Sequence, residues 1–209
     1  MLAYTGLGAW RQIAPGARKF DPSMFEAEIT YVADGPLALP GGVGDAVVYH
    51  DIYFDSPDGA YYAAGRELRL RAVAGHTLLT CKLPPFDPAS GSKEEFETEV
   101  ADGDAMRTIL CRLGFVVRMA FAKTCRRGTA VHAGLALDIT VARVDFSPET
   151  FVEIEHQAAT AATAQAALAT IRDFAIGLGL RRLRPACYTD LFLAARGGLP
   201  NRPSGLESK

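Results

Sequence analysis

Like charges recur two residues apart along this chain. Glu26 and Glu28 form one such pair, and Arg69 and Arg71 another. Glu95, Glu97 and Glu99 make an acidic triplet, and Glu153 and Glu155 alternate with Val152 and Ile154. Asp138 stands between Leu137 and Ile139, Lys82 ends the run LLTCK, and Lys123 and Arg127 lie four apart. Residues an even number apart on a β-strand share a face, so each set projects from one side of its strand. Carboxylate oxygens suit hard cations such as Mg2+ or Mn2+, which take about one to three carboxylates together with substrate phosphate oxygens. Guanidinium groups grip phosphate oxygens bidentately, and lysine supplies a compact positive charge. Brought to one surface, these rows have the chemistry to bind a polyphosphate with its metal.

The elements that must position them are mostly strands. Short alternating runs separated by Gly-rich or Pro-rich breaks predict strands over 25–32, 46–54, 67–74, 77–83, 93–100, 116–127, 134–144 and 150–156. Helices are expected over 101–113, ended by Gly114, over 158–178, and over 186–196 after Pro185. Taken strand by strand, the charged rows read as the wet faces of amphipathic strands. Taken together, with acids and bases segregated onto different strands, they also fit a closed barrel with a polar interior. The expected fold class is α+β: an antiparallel closed β-barrel, or tunnel, with helices packed outside.

Composition sets bounds on partners. The chain has 209 residues, 49% hydrophobic and 22% charged, with a formal net charge of −2. That balance speaks against a general nucleic-acid or anionic-membrane binder, both of which favour a basic protein. Cys81, Cys111, Cys125 and Cys187 form no C-x-x-C pair and are read as reduced thiols. No apolar run approaches the roughly 20 residues that span a bilayer. The expected location is cytoplasmic.

The order of these motifs resembles the CYTH domain, shared by class IV adenylyl cyclases, thiamine triphosphatases and inorganic tripolyphosphatases. That family's E-x-E-x-K strand is matched by Glu26-Ala-Glu28-Ile-Thr30, and its Y-[FY]-D-T-P stretch by Tyr53-Phe54-Asp55-Ser56-Pro57. Its L-R-x-R strand is matched by Leu68-Arg69-Leu70-Arg71, and F-V-E-I-E by Phe151-Val152-Glu153-Ile154-Glu155. The terminal S-Y-x-x-L-L helix is matched by Cys187-Tyr188-Thr189-Asp190-Leu191-Phe192. The resemblance implies a tunnel with Glu26, Glu28, Asp138, Glu153 and Glu155 as metal carboxylates. It implies Arg69, Arg71, Lys82, Lys123 and one of the adjacent Arg126 and Arg127, with Arg127 preferred, as phosphate ligands. Glu26, Glu28, Lys82 and Lys123 are then the expected catalytic groups.

Three departures stand out. The lysine of E-x-E-x-K is Thr30, and Ala186 stands near the place of a second family lysine, with Arg184 as a substitute. The stretch DGPLALPGGVGD, where the family carries a helix, is too interrupted by Pro and Gly to form a long one. The expected organisation is an N-terminal extension over 1–24, a tunnel domain over 25–198 and a tail over 199–209. The expected activity is metal-dependent hydrolysis of a triphosphate-bearing small molecule, with no nucleic-acid or membrane partner and a possible homodimer. Cyclisation of ATP, and phosphate binding without turnover, are the rival readings.

Overall fold

The computed structural model describes residues 24–184 and 186–197. Most of the expected N-terminal extension and all of the tail lie outside the described residues. Nine strands follow in chain order: β1 (Met24–Ala33), β2 (Val47–Asp55), β3 (Glu67–Val73), β4 (His76–Lys82), β5 (Lys93–Val100), β6 (Val116–His132), β7 (Leu135–Val144), β8 (Thr150–Ala158) and β9 (Arg182–Leu183). Four helices accompany them: α1 (Ala60–Ala63), α2 (Gly103–Arg112), α3 (Ala161–Gly177) and α4 (Tyr188–Ala195). Eight strands were expected and eight close into a barrel; α1 and the two-residue β9 are additions.

All pairings are antiparallel, in the order β5-β4-β3-β2-β6-β7-β8-β1-β9. Closure comes from β5 pairing back onto β1, from Met24 opposite Glu95 to Glu26 opposite Lys93. Beyond that short ladder, the buried Ser92 continues the seam with its side chain. Glu28 N–H donates to Ser92 Oγ at 3.0 Å, and Ser92 Oγ donates to Glu28 O at 3.2 Å. Two hairpins turn on the same dipeptide. Ala74-Gly75 and Ala133-Gly134 have positive φ at both central residues, the pattern of a two-residue type I′ turn.

The helices cover the barrel because alternate strand residues are apolar and face out. Ala27, Ile29, Leu137, Ile139, Val152 and Ile154 pack against Leu168, Ile171 and Phe174 of α3. Burying each large side chain contributes about 1.5–3 kcal/mol. Thr160 starts this helix with a capping box to Thr163, so α3 begins later than the expected residue 158, which still belongs to β8. Helix α2 covers Phe54, Leu68 and Leu70 with Leu110.

A third apolar cluster lies on the inner side. Val32, Tyr53, Met119, Phe121, Ala142 and Phe151 meet Tyr188 and Phe192 of α4, which closes that end of the barrel. The segment over 34–46 forms no helix, as expected. It runs as a strap bonded to β6, with Gly44 N–H donating to Arg127 O at 2.8 Å. Gly128 permits this approach, since a Cβ there would stand 2.6 Å from Gly42 O. Strand β6 continues through that glycine to His132, past the expected end at Arg127.

Candidate active site

Strand alternation carries the charged rows into the barrel, opposite the faces covered by α2 and α3. Arg69 and Arg71 of β3 face β2, where Asp51 lies directly opposite Arg71. Asp51 is 1% exposed and takes Arg71 bidentately, accepting from Nε and Nη2 at 2.7 Å each. Its neighbour Arg69 donates to Thr80 Oγ1 at 3.2 Å, while its buried Nε has no hydrogen-bond partner among the described residues. Lys82 of β4 stands between Glu26 and Glu95, at 2.8 and 2.7 Å. Lys123 of β6 bonds both oxygens of Glu153, at 2.9 and 3.1 Å. Lys93 pairs with Glu67 along the same wall. Glu97 accepts from Thr80 Oγ1 at 2.8 Å, whereas Glu99 sits at the exposed β4–β5 end with His76.

Of the two adjacent arginines, Arg127 is the one whose charge is felt by Tyr49, Glu155 and Asp138. Arg126 lies outside, lining a cavity of about 720 Å³ between the strap and β7 with Arg143 and Glu149.

Three further carboxylates, Glu28, Glu155 and Asp138, lie side by side on β1, β8 and β7. Glu28 is directly opposite Glu155, and Glu155 directly opposite Asp138. Burial, then the charges of Glu28 and Glu153, push the Glu155 carboxyl up to about 7. Burial also raises Asp51, Glu95 and Glu153, but their cations outweigh it and hold each at about 2. At Glu26 burial wins over the shared Lys82, and its pKa is raised. Neighbouring, half-buried carboxylates, one of them unwilling to ionise, make the electrostatic setting that a divalent cation relieves. Among the described residues, no three His, Cys, Asp or Glu side chains already converge at ligating distance. Glu28, Glu155 and Asp138 are adjacent in register and offer the oxygen donors that Mg2+ or Mn2+ takes.

Thr30 is buried at the centre of this region and donates to Glu28 Oε1 at 2.8 Å. Arg184 approaches the same oxygen, at 4.0 Å from Nη2. It arrives there because Arg184 N–H donates to Thr30 O at 2.9 Å, just beyond the β1–β9 ladder. The guanidinium stacks on the Tyr188 ring at 4.4 Å, and its buried Nη1 has no partner among the described residues. A cation therefore stands beside Thr30 even though the strand carries none.

Three residues of this lining escaped the sequence reading. They are Asp51, Glu67 and Lys93, which fall inside the expected strands without belonging to a like-charged row. Asp51 was findable, since it shares a face with Tyr49 and Tyr53 in an alternating strand.

The sequence profile of the CYTH domain matches residues 25–184. With that match over most of the chain, and with the charged barrel it folds into, the protein belongs to the CYTH domain family. Members of this family are enzymes of triphosphatase or adenylate cyclase type, generally dependent on a divalent metal. A solved structure from Pyrococcus horikoshii OT3 superposes with a TM-score of 0.69 at 24% identity, covering 81% of this chain and 98% of that one. A Hippeastrum protein, provisionally named an adenylyl cyclase and described as revealing a dominant triphosphatase activity, superposes with a TM-score of 0.56 at 19% identity, covering 85% of this chain and 97% of that one. A Methanocaldococcus jannaschii protein provisionally named an adenylate cyclase is 37% identical over 65 residues, 31% of this chain. This chain thus spans little more than a third of that curated relative, 37% of its length.

Proposed function

We propose that this protein hydrolyses a triphosphate-bearing small molecule inside its barrel, with Mg2+ or Mn2+ held by Glu28, Glu155 and Asp138. The observation that carries the reading is that one lumen gathers carboxylates and cations, with Lys82 and Lys123 paired to Glu26, Glu95 and Glu153. A carboxylate row on β1, β8 and β7 faces cations contributed by β3, β4, β6 and the segment after β9. The metal, when bound, neutralises phosphate charge and polarises the phosphoryl group under attack.

The chain's own residues do the positioning. Arg69, Arg71, Lys82, Lys123, Arg127 and Arg184 orient the phosphate oxygens for in-line displacement. Lys82 and Lys123 are bonded to Glu26, Glu95 and Glu153 before substrate arrives. Binding therefore exchanges carboxylate for phosphate at these ammonium groups and frees carboxylate oxygens for the metal. Glu26 and Glu153 enter the metal set by that exchange.

Water as nucleophile gives hydrolysis, whereas a ribose 3′-hydroxyl gives cyclisation. Hydrolysis is favoured because it requires no slot for a base, and the apolar end of the lumen is filled by the protein's own Phe121, Phe151, Tyr188 and Phe192. The dominant activity described for the Hippeastrum protein points the same way, while the name of the Methanocaldococcus relative points to a cyclase. Incubation with inorganic tripolyphosphate, thiamine triphosphate and ATP, each with Mg2+ or Mn2+, separates the readings. Orthophosphate release is expected. Cyclic AMP formed from ATP without orthophosphate would make the protein a cyclase. Tight tripolyphosphate binding with no product under either metal would make it a binding module.

A further inference from the structure

Asp51 differs from the other buried acids of the barrel in what surrounds it. Glu26, Glu95 and Glu153 bind lysines. Asp55, four residues along β2, is committed to structure: it accepts from Ser56 N–H and Tyr62 N–H and pairs with Arg118. Asp51 binds no backbone group among the described residues. Its carboxylate meets Arg71 Nε and Nη2 at 2.7 Å, and Arg69 Nη1 lies 4.0 Å from Oδ2.

The geometry at Arg71 is constrained in two directions. Asp51 occupies one edge of the guanidinium within its plane. The Tyr49 ring lies against its face, 4.5 Å from the ring centroid. An arginine has five N–H donors, and this arrangement uses the Nε/Nη2 edge. Among the described residues, Nη1 has no hydrogen-bond partner. A free arginine fork in a tunnel samples many orientations, and fixing it before the ligand arrives removes that ordering cost from binding.

We propose that Asp51 is a positioning residue, which locks the edge of Arg71 so that Nη1 is presented to a phosphate oxygen and Arg69 is tethered beside it. The proposal rests on the reading of the tunnel as a triphosphate site. Asp51 touches no substrate; it acts through the two arginines.

A thermodynamic cycle tests it by calorimetric titration of the full chain with inorganic tripolyphosphate and Mn2+, comparing wild type, Asp51→Asn, Arg71→Ala and the double variant. Loss of one charge-assisted bond to a buried partner corresponds to a weakening of about tenfold to a hundredfold. Asp51→Asn and Arg71→Ala are each expected to weaken binding in that range. The double variant should bind no more than about threefold worse than Arg71→Ala, because both changes remove the same contact.

Additive losses, or Asp51→Asn with wild-type affinity and merely a lower Tm, would overturn the proposal. Should Asp51→Asn fail to fold, Asp51→Glu keeps the buried charge paired but moves the carboxylate by one methylene. That variant is expected to be folded and several-fold weaker, and wild-type affinity there would equally refute the role. Absence of binding by the wild type would instead sink the tunnel reading itself, and the proposal with it.

Discussion

At the scale of single residues, the barrel carries a substitution of position. The family's cation after Glu28 is Thr30 here, and Arg184 reaches the same carboxylate oxygen from beyond β9. If Arg184 supplies the missing charge, Arg184→Ala should weaken tripolyphosphate binding about tenfold or more. Thr30→Lys in that background should restore most of it, as read by the dissociation constant. Failure of the restoring change would show that the two positions serve different phosphates. Glu155 gives a pH signature. Its folded pKa of about 7 lies above the ordinary 4.5, so the folded protein holds a proton that the unfolded chain has lost. Between about pH 4.5 and 7 this group's contribution to stability therefore falls as pH rises. A metal needs the carboxylate, so Mn2+ affinity should climb from pH 6 to 8, with proton uptake by buffer when Mn2+ binds at pH 6. Titration in two buffers of different ionisation enthalpy reads that proton. Equal heats in both buffers would show that Glu155 does not ligate.

At the scale of elements, the strap and α4 decide the shape of the two sides of the barrel. Gly128→Ala would drive a Cβ to 2.6 Å from Gly42 O, so the strap must lift or β6 must bend. Overpacking of this kind costs about 1–3 kcal/mol, visible as a lower Tm. Activity should survive, since the tunnel lining lies on other residues. The sequence was informative here in proportion to length and period. Eight strands and three helices were legible because each alternates, or repeats at helical spacing, over many residues. The charged rows were legible for the same reason, since a period of two places Glu153 and Glu155, or Arg69 and Arg71, on one face without further information. Strand β6 was cut short at Gly128, because a glycine there reads as a break and only the approach of Gly42 explains it. Helix α1 has four residues and β9 two, too short to carry a period. Asp51 was overlooked because its partner comes from another strand, and pairing partners are not written in local spacing.

At the scale of the whole molecule, the same alternation that sends apolar residues to α2 and α3 sends charge inward. Closure of the barrel concentrates that charge in one lumen. The seam is the weak point, since β1 and β5 share three residue pairs and the Ser92 side chain. Ser92→Ala leaves the buried Glu28 backbone groups without that partner and should cost about 1–3 kcal/mol, read by chemical denaturation. It should also loosen Glu28 and weaken Mn2+ binding. No described helix is long and apolar enough to cross a membrane.

Whether one lumen holds metal and triphosphate together can be seen in a crystal soaked with Mn2+ and tripolyphosphate. Anomalous Mn2+ density is expected among Glu28, Glu155 and Asp138, with phosphate oxygens reaching Arg69, Lys82 and Lys123. Phosphate bound outside the barrel, for example along Arg126 and Arg143, with the internal ion pairs of Lys82 and Lys123 intact, would contradict it.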